Sequence, residues 1–445
     1  MMVAKGPVTT RPPRSRRAEE TVVAPLTLIA LAVLAYALLS GRLASTVVTA
    51  PIFFAGVGLL AGPVLGMVTL PNDDETLVLL LEAALVMVLF ADASSLDIRR
   101  WTRERSLSTR LLGVGLPLTM IAGAVVALLL FPGLALWQAA LIGVILAPTD
   151  AALGQAVVAN PKVPAVVRNA LNVESGLNDG LALPFVTIFV TVGLVASGME
   201  AEATAIETLF LALVGSTAVG LTFGIGGGWL IRVASDRHLG QRLWIPIALA
   251  ALAVAVFSVA DELEASGFLA VWVAGLAAGA MVRGHIEDEA FHLPEQMADI
   301  LAAIGFLLLG AGLLAPVIAR ATPLMALYAV LSLTVIRVLP VAVSMLRTGF
   351  APATVGYIGW FGPRGLASIV FAGVVVEAAL PDARAVTDPI LLTVAISLVA
   401  HGVTAAWGAR RYAAWFERAA AADPSVPEAA VVTGAAVRGR RARTG

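Results

Sequence analysis

The chain has 445 residues, 59% of them hydrophobic and 13% charged, with a mean hydropathy of +0.92. A soluble domain of this length needs far more polar surface, so the composition specifies a membrane protein. A net charge of −1 gives no basis for nucleic-acid binding, and the absence of cysteine excludes disulfides, thiolate metal sites and a cysteine nucleophile.

In chain order, "MMVAKGPVTTRPPRSRRAEE" is a basic start before an apolar run, as in a signal peptide. The run from Ala24 to Ser40 is long enough to span and is followed by many more, so it reads as a retained helix. Candidate spans lie near 24–40, 46–69, 75–93, 109–131, 135–159, 168–197, 204–231, 243–261, 266–282, 291–318, 323–346, 352–380 and 386–408. The expected class is an all-α polytopic membrane protein of about thirteen transmembrane helices. Lipid tolerates no exposed strand edges, and no alternating pattern suggests a barrel. Residues 1–23 read as an N-terminal tail, 24–411 as the transmembrane domain, and 412–445 as a short disordered tail.

Loop charge sets the orientation. The loop 97–110, the pair Lys162 and Arg168, and the group Arg232, Arg237 and Arg242 are basic; the intervening loops 71–76, 200–207 and 260–265 are acidic. The basic set, with the C-terminal tail, is expected in the cytoplasm. Thirteen crossings then put the N-terminus outside although it is basic; the many short loops outweigh that single tail. His285 and His292 share one loop and read as solvated residues rather than ligands.

Six charged residues sit inside predicted spans: Glu82, Asp150, Glu174, Asp179, Arg337 and Arg364. One ionised group at the bilayer centre costs at least ~3 kcal/mol, so six together point to function. In "ILAPTDAALG" (145–154), Pro148 interrupts the helix just before Thr149 and Asp150. In "NVESGLNDGLALPF" (172–185), Glu174, Ser175, Asn178 and Asp179 fall within an arc of about 140° on one helix. That face must line a wet cavity or another helix. Arg337, in "LTVIRVLPV", needs a carboxylate partner from among Glu174, Glu82, Asp150 and Asp179. "GWFGPRGLASI" (359–369) is a second interrupted span, with Gly362, Pro363 and Gly365 around Arg364. Breaks in spans five and twelve, at corresponding places in two halves, predict an inverted-repeat transporter with two broken crossing helices.

The pieces "APTDAAL" (147–153), "NVESGLNDGLALP" (172–184), "IRVLPV" (336–341) and "GPRGLAS" (362–368), in this order, resemble the monovalent cation:proton antiporter-1 family, the sodium/proton exchangers that include NhaP-type antiporters. "LLLEAALVMVLFADASSLDI" (79–98) is similar to the family's third helix in degraded form. The resemblance implies a homodimer, a core domain moving against a dimerisation domain, and a bacterial plasma-membrane location with a cytoplasmic C-terminus. It implies Na+ bound by Asp150 and Asp179, with the Thr149 carbonyl and Ser175 completing the shell. It implies a structural Glu174–Arg337 pair, the Asn-Asp form of the motif at Asn178 and hence electroneutral exchange, a structural or regulatory Arg364, and Glu82 touching the site through water. No cofactor is implied.

The physics alone also suits exchange. Two carboxylates in a poorly solvated cavity disfavour the second negative charge, and a proton or a hard monovalent cation supplies what is missing. A K+/H+ antiporter is the nearest alternative. A cation channel lacks a filter loop here, and an intramembrane aspartyl protease lacks its Tyr-Asp and Gly-x-Gly-Asp signatures.

Overall fold

The computed structural model describes residues 16–43, 46–67, 75–96, 106–150, 153, 160–241 and 243–429. The basic loop 97–105, most of the acidic loop 71–76 and the last residues from 430 onward lie outside this description. The described residues are helical, with one isolated bridge between Arg283 and Ile286.

The helices are α1 (Arg16–Leu43), α2 (Ala50–Leu59), α3 (Glu75–Ser95), α4 (Leu107–Leu130), α5 (Leu136–Ile145), α6 (Ala165–Ala196), α7 (Glu202–Asp236), α8 (Trp244–Glu262), α9 (Gly267–Val282), α10 (Glu289–Arg320), α11 (Pro323–Ser344), α12 (Pro352–Trp360), α13 (Leu366–Glu377) and α14 (Ala383–Ala422). Among the described residues, eight are long and apolar enough to cross a membrane. The all-α membrane architecture expected from composition is the architecture observed.

The helices sort into two groups by packing. α2, α3 and α7 to α10 pack on one another; α4, α5, α6 and α11 to α14 form the second group. α7 and α9 make the closest pairing because Gly220, Gly224 and Gly228 recur every four residues. A Cβ at Gly224 would stand 2.7 Å from the Ala274 Cα, so only glycine permits this approach. α6 and α13 carry contacts from the second group to α3.

Both expected breaks are present. α5 stops at Ile145 and the chain runs on without helix to Asp150. α12 and α13 are separated by the non-helical stretch Phe361–Gly365. A third interruption, at Thr334, has no proline to announce it; its backbone lies at φ −115°, ψ −91° and divides α11 just before Arg337.

Both tails are more ordered than hydropathy indicates. α1 begins at Arg16, within the expected N-terminal tail. The disordered segment expected from 412 does not begin there: α14 continues through Tyr412 to Ala422, and a 3-10 turn covers Pro427–Ala429. Packing explains the difference. Tyr412 is buried and stacks on Tyr357 with ring centroids 4.0 Å apart, and Trp415 stacks on Tyr412 at 5.4 Å. The alanines around them are the strongest helix formers.

Candidate ion-binding site at the crossing of two broken helices

The two interrupted spans meet at their breaks. The Asp150 amide donates to Pro363 O at 2.8 Å, joining the two extended segments directly. Asp150 Oδ2 accepts from the Leu366 amide at 2.9 Å and Oδ1 from the Leu153 amide at 3.3 Å. One carboxylate thus caps the N-terminus of α13 and also holds the Leu153 amide. Free helix N–H groups and the positive dipole end favour an anion there.

Arg364 does the reverse job. Its Nη1 donates to Ala147 O at 2.8 Å and Pro148 O at 2.9 Å, carbonyls of the non-helical stretch just past the end of α5. The guanidinium is fully buried. A cation at a helix C-terminus is held by the negative dipole end. The Arg364 amide donates to Ser397 Oγ at 2.7 Å. Ser397 Oγ donates in turn to His401 Nδ1 at 3.0 Å, and His401 Nε2 donates to Trp360 O at 2.9 Å, where α12 ends. Side chains therefore hold the start of α13, the end of α12 and the stretch just past α5.

Two glycines keep the crossing tight. A Cβ on Gly365 would collide with the Asp150 carboxylate, and one on Gly362 would stand 3.1 Å from the Arg337 guanidinium carbon.

α6 brings the second acid. Asn178 Nδ2 donates to Thr149 Oγ1 at 2.8 Å, and both residues are buried. The next residue on α6, Asp179, is 7% exposed, and Asp150 and Asp92 lie close enough to act on it electrostatically. Ser175, one turn earlier, is buried, with its hydroxyl 3.4 Å from Asn172 O. The Trp272 indole of α9 lies over Gly180, where any Cβ would overlap the ring.

Glu174 and Arg337 form an ion pair, Nη1 to Oε1 at 2.6 Å and Nη2 to Oε2 at 2.8 Å. Both side chains are at most 2% exposed, so neither charge is left alone in the bundle. Of the partners open to Arg337 in the sequence, Glu174 is the one it takes. Arg364 has both members of this pair as charged neighbours.

Glu82 does not join the group. Its charged neighbours are Glu377 and Asp261, at the C-terminal ends of α13 and α8. About 15 Å of helix axis separates it from Asp92, the residue of α3 that does face Asp179. Asp92 was not singled out in the sequence. Its signal was the run of small residues Ala91, Ala93, Ser94 and Ser95, which lets α3 come close to other helices. Asp92 Cβ lies 3.7 Å from the place a Cβ on Gly176 would take, and Gly275 and Gly279 of α9 pack onto Phe90, Ala93 and Ser94.

The family described as "Sodium/hydrogen exchanger, transmembrane" matches residues 29–410, which hold every residue of the site at the crossing. The chain belongs to the sodium/hydrogen exchanger family. The family is one of cation:proton antiporters, transporters rather than enzymes, and the chain has the helices of a multi-pass membrane protein. The chain is 28% identical over 403 residues to the K(+)/H(+) antiporter NhaP of Alkalimonas amylolytica, covering 88% of the exchanger and 67% of that relative. It is 28% identical to the K(+)/H(+) antiporter NhaP2 of Shewanella sp. (strain ANA-3), covering 81% and 62%. A shorter match, 32% over 203 residues, joins it to the Na(+)/H(+) antiporter NhaS2 of Synechocystis sp., covering 45% and 36%. The exchanger thus spans about two thirds or less of the length of these relatives. Its fold is similar to the sodium proton antiporter MjNhaP1 of Methanocaldococcus jannaschii at pH 8, with a TM-score of 0.68, 19% identity, and coverage of 89% of this chain and 99% of that one.

Proposed function

We propose that this exchanger moves Na+ or Li+ against H+, one for one, through a single site at Asp150 and Asp179. The observation that carries this reading is the convergence of the two aspartates at the crossing of the broken helices. Thr149 and Ser175 supply further oxygens, and an all-oxygen shell suits a hard cation. Asn178 holds Thr149 in place. The Glu174–Arg337 pair supports the site without taking a cation, because its charges already cancel.

The buried charge supports the stoichiometry. Asp150, Asp179 and Glu174 stand against Arg337 and Arg364, which leaves one net negative charge. One proton or one monovalent cation cancels it. Provided Asp92, on the other helical group, keeps one protonation state through the cycle, each turn carries one ion each way. Loaded either way the site is neutral, and a neutral site crosses a low-dielectric barrier at least cost.

The two helical groups support alternating access, with the group carrying α5, α6, α12 and α13 moving against the other. α6 and α13 line the boundary between the groups. We further propose thirteen crossings, a homodimer in the bacterial plasma membrane and a cytoplasmic C-terminus; the loop charges of the sequence support the last.

K+ is the second reading, favoured by the names of the two relatives matched over most of the chain. A fluorescence-dequenching assay in everted vesicles separates the two. Na+ and Li+ are expected to release the proton gradient, and a response to K+ alone would overturn the Na+ assignment. Clamping the membrane potential is expected to leave the rate unchanged; strong voltage dependence would overturn one-for-one exchange.

A further inference from the structure

The C-terminal segment ends in a buried carboxylate that no transport step uses. After α14 the chain reverses at Asp423, whose Oδ1 accepts from the Ser425 amide at 2.9 Å and the Ser425 hydroxyl at 2.6 Å. The turn Pro427–Ala429 then lies against α6 and the start of α12. Glu428 is 2% exposed. Its Oε1 accepts from the Ala351 amide at 2.9 Å and from Thr354 Oγ1 at 2.5 Å.

This is a helix cap delivered from elsewhere in the chain. α12 begins after Ala351, which has the extended backbone of a capping residue (φ −67°, ψ 150°) but no side-chain acceptor of its own. Free amides at a helix start take an oxygen, and a carboxylate suits the positive dipole end.

α12 is nine residues long, and both ends are held. Its first turn is held by Glu428, and by Tyr412 through the Tyr412–Thr354 hydroxyl contact at 2.9 Å. Its last carbonyl is held by His401, and the chain beyond it accepts the Asp150 amide at Pro363. Between the ends, ring contacts run from Tyr412, stacked on Tyr357, to Phe361, whose ring is tilted against Tyr357 at 4.8 Å. A shift at Ala351 is carried to the residues around Asp150, because so short a helix moves as a rigid body.

We propose that Glu428 is a positioning residue for transport, the segment Asp423–Ala429 clamping the start of α12 and, through it, the crossing that holds Asp150. The proposal rests on the antiporter reading for its readout. Glu428 touches no transported ion and acts only through α12.

The test is cation-dependent proton movement in proteoliposomes of the full chain, with thermal unfolding of the same preparations. Glu428→Ala is expected to weaken apparent cation affinity roughly fivefold, as loss of one helix cap shifts the competent population, with a smaller change in maximal rate. Glu428→Gln keeps an acceptor oxygen and is expected to transport like the parent. Parental affinity in Glu428→Ala would overturn the proposal. So would a Glu428→Gln variant that melts like the parent yet transports like Glu428→Ala. A parent protein that moves no protons in response to any alkali cation would instead overturn the antiporter reading.

Discussion

Asn178 Nδ2 donates to Thr149 Oγ1 at 2.8 Å, and this bond ties α6 to the extended segment that ends α5. Asp179 and Asp150 are the next residues along the two chains, and consecutive Cα atoms are only about 3.8 Å apart. One amide–hydroxyl bond therefore sets the register that brings two acids from separate helices to one place. The same pairing makes the site sensitive to changes in either segment.

Asp179→Asn removes the charge with little change in volume. It is expected to abolish cation-dependent proton movement in proteoliposomes while the protein elutes and melts like the parent. Retained exchange would remove Asp179 from the site. Asp150→Asn should also lower stability, because both Asp150 oxygens accept backbone amides and an asparagine side chain keeps only one acceptor.

Glu174→Ala or Arg337→Ala strands a buried charge. Each single change is expected to destabilise the protein by about 3–5 kcal/mol, visible as a lower melting temperature in detergent. Replacing both by apolar residues of similar size should cost less than either alone, since no charge is then left unpaired. Normal melting with lost ion binding would reassign the pair from structure to ion binding.

Gly365→Ala places a methyl group on the Asp150 carboxylate. Displacing that group breaks its bond to the Leu366 amide. A loss of about 1–3 kcal/mol in stability is expected, as for other overpacked sites, with weakened cation dependence of proton movement. Gly373→Ala, in open space on α13, is the matched control and should behave like the parent.

In the proposed mechanism proton and cation compete for one site, so each weakens the other equally. Half-saturating Na+ is expected to rise about tenfold for each pH unit on the acid side of the site's titration and to level off on the alkaline side. Maximal rates measured at saturating Na+ should vary far less. A half-saturating concentration that does not change with pH would show that the two ions bind at separate places.

The features that composition and local chain chemistry control were legible from the sequence. Apolar runs of membrane length predict helices because lipid offers backbone groups no other partner. Pro148 and the Gly362–Gly365 run predict breaks because proline removes a donor and glycine stabilises no helix. Polar residues in the middle of a span predict a site because they are too costly to retain otherwise. What depends on which faces meet was not legible. Glu82 and Asp92 lie on one helix with similar chemistry, and only the packing of α3 against α6 puts Asp92, not Glu82, beside Asp179.

The order of the C-terminal segment has the same origin. Nothing in the local sequence marks Tyr412 or Glu428 for burial, yet each is buried by residues far away in sequence, Tyr357 and Thr354. By itself the sequence determined the membrane class, the helices, the two breaks and the set of candidate charges, because each follows from a residue's own chemistry and near neighbours. Only the tertiary structure decided which charges pair, which acid of α3 faces the site and what caps α12, because those depend on distances between segments that the chain brings together only when it folds.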